Sequence, residues 1–436
     1  ELTGKKVAIV QPAAASAASQ QMGPMPTRAG DTRGTVSRSG ARVVWAEPNL
    51  KVDGTLILDQ TTGEVVTDSL KLACDWFATS LTGHMNWNAQ GGHLAVKGPA
   101  RIKMDEVATR LTHLTGTAIR AEGIQETPIE LKIYRKPDEQ IGMSVTGNLG
   151  WEAAAVAGVE MGRAVVPVRL TETTVYVSPS TIPVGDGRLN LAGDVNYRPG
   201  PLWMRIEPGR IAESITVTPE MTNRWLKYLA PLASEATSIT GTMGAELDEA
   251  IVIFDDLEKS RVVGRLNIDS VQMNAGPMGD QIIGGIRQLK SLAGGVTPQA
   301  PPSPSTTLIT MPAQTVDFMV DSGLVNHRRL FLDIDRAKVI TSGNVSLDGR
   351  LDMIAQVPID ARWLGADLQG LAGQSVSLPI DGTLSRPSLD SSGVRRVMTQ
   401  IGTQAIQNTA ENYLQKQLNK SIDKIIPLGF KDHMQP

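Results

Sequence analysis

Of the 436 residues only one is cysteine, Cys74, so no intrachain disulfide can form and no zinc or iron–sulfur site can rest on cysteines. Aromatic residues make up only 4% of the chain against a hydrophobic total of 41%, so whatever core exists is built from Val, Leu, Ile, Ala and Met. That hydrophobic fraction is too high for wholesale disorder. Charge of either sign is not in excess: 42 Lys and Arg stand against 45 Asp and Glu, a net charge of −3. A protein that holds nucleic acid draws its affinity from cations on phosphates, and this balance argues against that class. No window contains the roughly 18 consecutive apolar residues of a membrane-spanning helix.

Catalytic patterns are missing as well. There is no G-x-S-x-G elbow, no phosphate-binding G-x-x-x-x-G-K-S/T, no H-E-x-x-H and no G-x-G-x-x-G. Of the five histidines, only His84 and His93 lie close together, flanked by Asn, Gln and Gly, and they read as two loop histidines rather than a metal site. His113 falls on the polar side of a short helix. Asp255, Asp256 and Glu258 lack the glycine-centred spacing of a calcium loop and read as a solvated turn. The expectation is a non-enzyme with no metal and no cofactor.

What is present is alternation. Val339, Gly343, Val345, Leu347, Gly349, Leu351, Met353, Ala355, Val357 and Ile359 recur with period two, with polar residues in most places between them. Shorter runs of the same kind are Leu50 to Leu58, Leu70 to Trp76, Ile129 to Ile133, Ile141 to Trp151, Leu189 to Tyr197, and Phe318 to Ile334. Glycine (42) and proline (26) make up about 16% of the chain against the usual ~12%, and they cluster between these runs as hairpin turns would require. The bulk of the chain is therefore expected to be antiparallel β.

Helices are few. Asp105 is placed to cap a turn with Val107, Leu111 and Leu114 on one face and Gly116 at its end. Thr218 and Pro219 start a second, with Met221, Trp225, Tyr228 and Leu232 in one stripe. A third carries Met278, Ile282, Ile286, Leu289 and Ala293. Each is too short to stand alone and must lie on a sheet. Residues 393–426 read as a C-terminal amphipathic helix with two offset apolar stripes.

Two degenerate repeats point to stacked modules. VTGNLGWEAAAVAGVEMG from Val145 aligns without a gap to VVGRLNIDSVQMNAGPMG from Val262, and GRLNLAGDV from Gly187 echoes GNVSLDGRL from Gly343. The expected organisation is a flexible segment over 1–40, repeated β-groove modules with short helices over 41–293, a Pro/Gly-rich linker over 294–306, a C-terminal β module over 307–392 and the helix over 393–426.

The segment from Phe318 to Pro387 resembles the C-terminal region of AsmA-like proteins, relatives of TamB and of the bridge-like lipid transfer proteins. The resemblance rests on FMVDSGLVNHRRLFLDI, on GNVSLDGRLDM, and on SVSLPIDGTLSRPSLD with its Pro379, Ile380, Gly382, Thr383, Leu384 and Pro387. It implies an elongated, curled antiparallel β-sheet groove and a place in the periplasm. It also implies an inner-membrane anchor in a segment absent from this chain, and a part in phospholipid transport or outer-membrane assembly. Under that reading the strand faces form a trough for phospholipid or another acyl-chain lipid, lined by Val345, Leu347, Leu351, Met353, Leu189, Leu191, Phe318 and Val320, and the C-terminal helix engages an envelope protein. The alternative is an interaction protein of closed β-sandwich modules with dry strand faces and a partner-binding C-terminal helix.

Overall fold

The computed structural model describes residues 2–3, 7–11, 42–47, 49–88, 91–135, 140–198, 200–233, 236, 238–294, 308–334, 337–363 and 372–389. The expected C-terminal helix and nearly all of the 294–306 linker lie outside them. The protein is mainly β, as alternation requires. Twenty-one strands share one antiparallel sheet, accompanied by a three-stranded and a two-stranded sheet. Part of the N-terminal segment expected to be flexible is strand: Val7–Gln11 pairs with Arg42–Glu47, and Leu2–Thr3 with Lys51 and Val52.

Contacts divide the chain into two compact units that do not follow linear order. The first comprises residues 1–225, 240–269 and 317–324, the second residues 226–239, 270–316 and 325–436. In the first unit nine strands run as a meander, each antiparallel to its predecessor: Lys51–Leu58, Glu64–Ala73, Phe77–Asn88, Gly91–Lys103, Ile124–Arg135, Ile141–Trp151, Ala164–Thr171, Thr174–Val184 and Gly187–Asn196. An interrupted strand, Trp203–Ile206 and Gly209–Thr216, follows and pairs on its far side with Ile239–Ile253.

The two ends of these strands differ in kind. At one end the connections are tight, as at 59–63, 172–173 and 254–260. At the other sit the longer excursions: the helix Met104–Thr115, a small sheet of Ile119–Glu122, Ala153–Val156 and Val159–Met161, and the helical turn Pro219–Met221. The helix packs Met104, Val107 and Ala108 onto Ile102, with Phe77, Leu149 and Trp151 around them. Gly116 closes it in the left-handed region at φ 71°, donating to the Thr112 carbonyl. Its N-cap is Lys103 rather than Asp105, which instead supplies negative charge to the first turn. The tip of the small sheet is fastened across the unit, where Thr218 Oγ1 donates to the Gly158 carbonyl at 3.3 Å. The same Thr218 oxygen accepts from the Met221 N–H, an N-cap with Pro219 behind it. That helical run is not continuous: a π-turn over Thr222–Leu226 separates Pro219–Met221 from Lys227–Leu229.

Two glycines in the middle of adjacent strands show how closely the sheet is drawn together. A Cβ on Gly83 would overlap the Ala95 carbonyl oxygen, and one on Gly98 would overlap that of Ser80. Leu81 and Val96, beside them, are fully buried. Gly98→Ala should therefore lower the unfolding free energy by about 3 kcal/mol, the upper range for an overpacked site, because the obstacle is backbone and cannot rotate away. Urea denaturation checks this; a change below about 1 kcal/mol would mean that the two strands can part without loss.

In the second unit the strands Ala337–Ser346, Leu351–Pro358, Ser375–Thr383 and Arg386–Leu389 form a second meander, and the end of Arg261–Asn274 pairs with Leu308–Met311. The long Val339–Ile359 run is a hairpin, turning at Leu347–Gly349 with Gly349 at φ 89°. The Gly187 and Gly343 echoes are thus unlike in structure: the first lies within one strand and the second crosses a turn. The helix Pro277–Gly294 matches its predicted position and buries Met278, Ile282, Ile283 and Ile286. A Cβ on Gly285 would stand 3.2 Å from Leu389 Cδ1 and 3.3 Å from Leu378 Cδ1, so the helix backbone rests directly on the strands.

Candidate functional site

The register assigns every strand residue to a face. In the first unit Leu94 stands opposite Ile133, Val96 opposite Leu131, Leu131 opposite Val145, and Val145 opposite Leu170. Leu170 continues to Val175, Val175 to Val195, and Val195 to Met204. Directly opposed residues share a face, so an unbroken aliphatic row crosses these strands. The other face carries Lys97, Glu130, Thr146, Arg169, Tyr176 and Asp194 in the same register. There Arg169 stacks over Tyr176 at 4.5 Å, and Arg205 pairs with Asp194 at 2.6 Å. A recess of about 810 Å³ is lined by Lys97, Glu130, Thr146, Arg169 and Tyr176 of this face together with apolar groups including Pro128, Ile129, Pro167 and Val168.

Coverage of the aliphatic row changes along the strands. Toward the end carrying the helix Met104–Thr115 and the small sheet, Ala100, Ile102, Ala164, Val166 and Ile182 are buried. Toward the tight-turn end, Met85, Leu94, Leu131, Ile133, Met143, Val145, Val168, Leu170, Val175, Val177, Val195 and Met204 are only half-buried. That half of the face is a partly accessible apolar floor on neighbouring strands.

The predicted lining residues divide by unit. Leu189 and Leu191 lie in the first unit and are half-buried beside Ala164, Val166 and Ile182. Val320 is half-buried, while Phe318 is buried at 9%. In the second unit, however, Val345 and Met353 are 0% and 1% exposed and Leu351 is buried. Val345 and Met353 have essentially no accessible surface and Leu351 little, so these three face packed protein rather than open space. They belong to a closed layer with Val339, Ala355, Val357, Leu378 and Ile380. Leu347 sits in the hairpin turn, half-buried, where its carbonyl accepts from the Tyr228 hydroxyl at 3.2 Å. The floor residues between Leu94 and Leu170 carry the same alternation as Val345 and Met353, and nothing local in the sequence separates the two sets.

Other expected features find plain places. His84 and His93 are strand residues, not loop residues; their rings meet edge to face at 5.3 Å on adjacent strands. His113 is exposed in the last turn of its helix. Asp255 accepts from the Leu202 N–H at 3.0 Å and Asp256 pairs with Lys259 at 2.8 Å, which makes the acidic cluster a structured turn. Among the described residues no three His, Cys, Asp or Glu side chains converge as metal ligands, and no helix is long and apolar enough to cross a membrane.

Two polar side chains, His327 and Thr341, lie in the closed layer of the second unit. His327 is fully buried, with Nε2 3.3 Å from Thr341 Oγ1 and no hydrogen-bond partner for Nδ1. Burial pushes its pKa down to about 4.

No family model matches the sequence, and neither a curated protein nor a solved structure matches it.

Proposed function

We propose that the protein is a non-enzymatic carrier of acyl-chain lipid, an AsmA-like component of the cell envelope that holds phospholipid on the partly accessible half of the first unit's aliphatic face. The observation that carries this reading is the contrast in coverage between rows of identical pattern: closed in the second unit, partly accessible at Leu94, Leu131, Val145, Leu170, Val175, Val195 and Met204 in the first. Contact with an acyl chain recovers about 0.8 kcal/mol per methylene buried, so half-burial of a dozen carbons contributes on the order of 5 kcal/mol without any specific polar contact. As an AsmA-like protein it would act in the periplasm at the inner membrane, in lipid transport or outer-membrane assembly. The closed-module reading is favoured for the second unit alone, whose dry layer supplies stability rather than a binding surface.

Lipid extraction and native mass spectrometry of the purified full chain test the proposal. Leu131→Glu combined with Val145→Lys puts charge in the centre of the floor while leaving an opposite-charge pair across two strands, an arrangement a sheet tolerates. Wild-type chain should carry phospholipid and the double variant about tenfold less, with unchanged circular dichroism. Equal lipid content in the two proteins would refute a binding role for this face.

A further inference from the structure

We propose that the tight-turn end of the first unit docks on the surface of a zwitterionic phospholipid bilayer, giving lipid a continuous apolar path onto the floor. This rests on the lipid-carrying reading. Along the strand Ile141–Trp151 the floor residues grow more accessible toward that end: Val145 and Met143 are half-buried and Ile141 is 60% exposed. The strand Lys51–Leu58, exposed along most of its length, ends at this rim with Leu58 57% exposed. Two further turns at this end present leucines, Leu257 at 53% and Leu324 at 46%. These turns are neighbours, since a Cβ on Gly323 would stand 3.2 Å from Glu258 Cγ. The opposite strand ends are largely covered by helix and small sheet, and although Ile124 and Val165 there are 53% and 51% exposed, more of the unit's exposed apolar side chains stand at the end at which the floor is accessible.

Charge decides which surface fits. The Asp59 carboxylate accepts from the Thr61 and Thr62 N–H groups of its own turn. Lys259 is held by Asp256, and Arg261 by both Glu249 and Asp321. Acids and bases on this rim thus neutralise one another or cap turns. Attraction to a membrane would be apolar, with little preference for anionic lipid and little sensitivity to salt.

Flotation of the full chain with phosphatidylcholine vesicles tests this, using the triple variant Leu58→Asp, Leu257→Asp, Leu324→Asp. Wild type should float, should keep floating at raised salt, and should exceed the variant by at least about tenfold, since each substitution removes an inserting side chain. The variant should retain its purified lipid, which separates rim from floor. Wild type that stays unbound, a variant that floats as well as wild type, or binding abolished by salt would each overturn the inference. So would a variant that changes only the oligomeric state, because the fringe would then belong to a contact between copies. A chain that floats but carries no lipid would count against the floor, not against the rim.

Discussion

Met353→Asp should unfold the second unit, whereas charges placed on the first unit's floor should not unfold theirs. Met353 is 1% exposed, faces Gly343 on one side and Ile380 on the other, and lies among Val345, Leu351 and Ala355. Losing the buried thioether chain costs about 2 kcal/mol. A carboxyl group in this layer must also stay neutral at pH 7, about three pH units above its ordinary pKa, which adds on the order of 4 kcal/mol. The sum, about 6 kcal/mol, is comparable with the whole stability of a small domain. Hydrogen exchange read by mass spectrometry should show the peptides of 337–358 and 375–389 losing protection, while those of 91–135 keep theirs. Leu131→Glu with Val145→Lys should lower the unfolding free energy of the first unit little, by about 1 kcal/mol or less in urea denaturation, since both sites are half-buried. A stable, protected Met353→Asp protein would show that the layer is open after all, and would restore Met353 to the candidate lining.

The second large effect is acid instability centred on His327. Its folded pKa of about 4 lies below the ordinary value of 6.5, so between those limits the unfolded chain binds a proton that the folded chain does not. Stability therefore rises with pH through this window. The contribution is complete above about pH 6.5 and is lost progressively as pH falls toward 4, amounting to about 3 kcal/mol. The cause is local: Val325, Leu330, Val339 and Val345, near it in the two strands, are buried aliphatics, and Thr341 is the hydrogen-bond partner of Nε2. Replacing both partners, His327→Val with Thr341→Val, removes the titration without leaving a hydroxyl unpaired. Denaturation midpoints of the second unit measured from pH 7 to pH 4 should fall steeply in wild type and less steeply in the double variant. Parallel pH profiles would place the acid sensitivity elsewhere.

These two results concern residues that the sequence presents in the same way as the floor residues. Period-two alternation marks Val345, Leu351 and Met353 as one face of a strand, and the structure keeps them on one face. It marks Leu131, Ile133, Met143 and Val145 identically. The hairpin within 339–359 was legible from Gly349, and the helix Pro277–Gly294 from its apolar stripe. The interruption after Met221 was not, because the stripe from Met221 to Leu232 runs on unbroken through the π-turn. The resemblance of 145–162 to 262–279 holds for the strands and fails beyond them: Ala153–Met161 is a hairpin, while the corresponding end of the second copy enters a helix at Pro277.

By itself the sequence determined that this protein is an antiparallel β structure of aliphatic faces, where its short helices begin, and which residues of each strand look the same way. Those are properties of neighbours in the chain, fixed by side-chain alternation, turn residues and capping. Which aliphatic faces are closed was decided only in three dimensions. Gly285 lies about a hundred residues from the Leu378 and Leu389 side chains it rests on, and Trp151, distant in sequence from the helix Met104–Thr115, is packed beneath it. Burial of a strand face depends on what arrives from elsewhere in the chain to cover it, and alternation carries no record of that arrival.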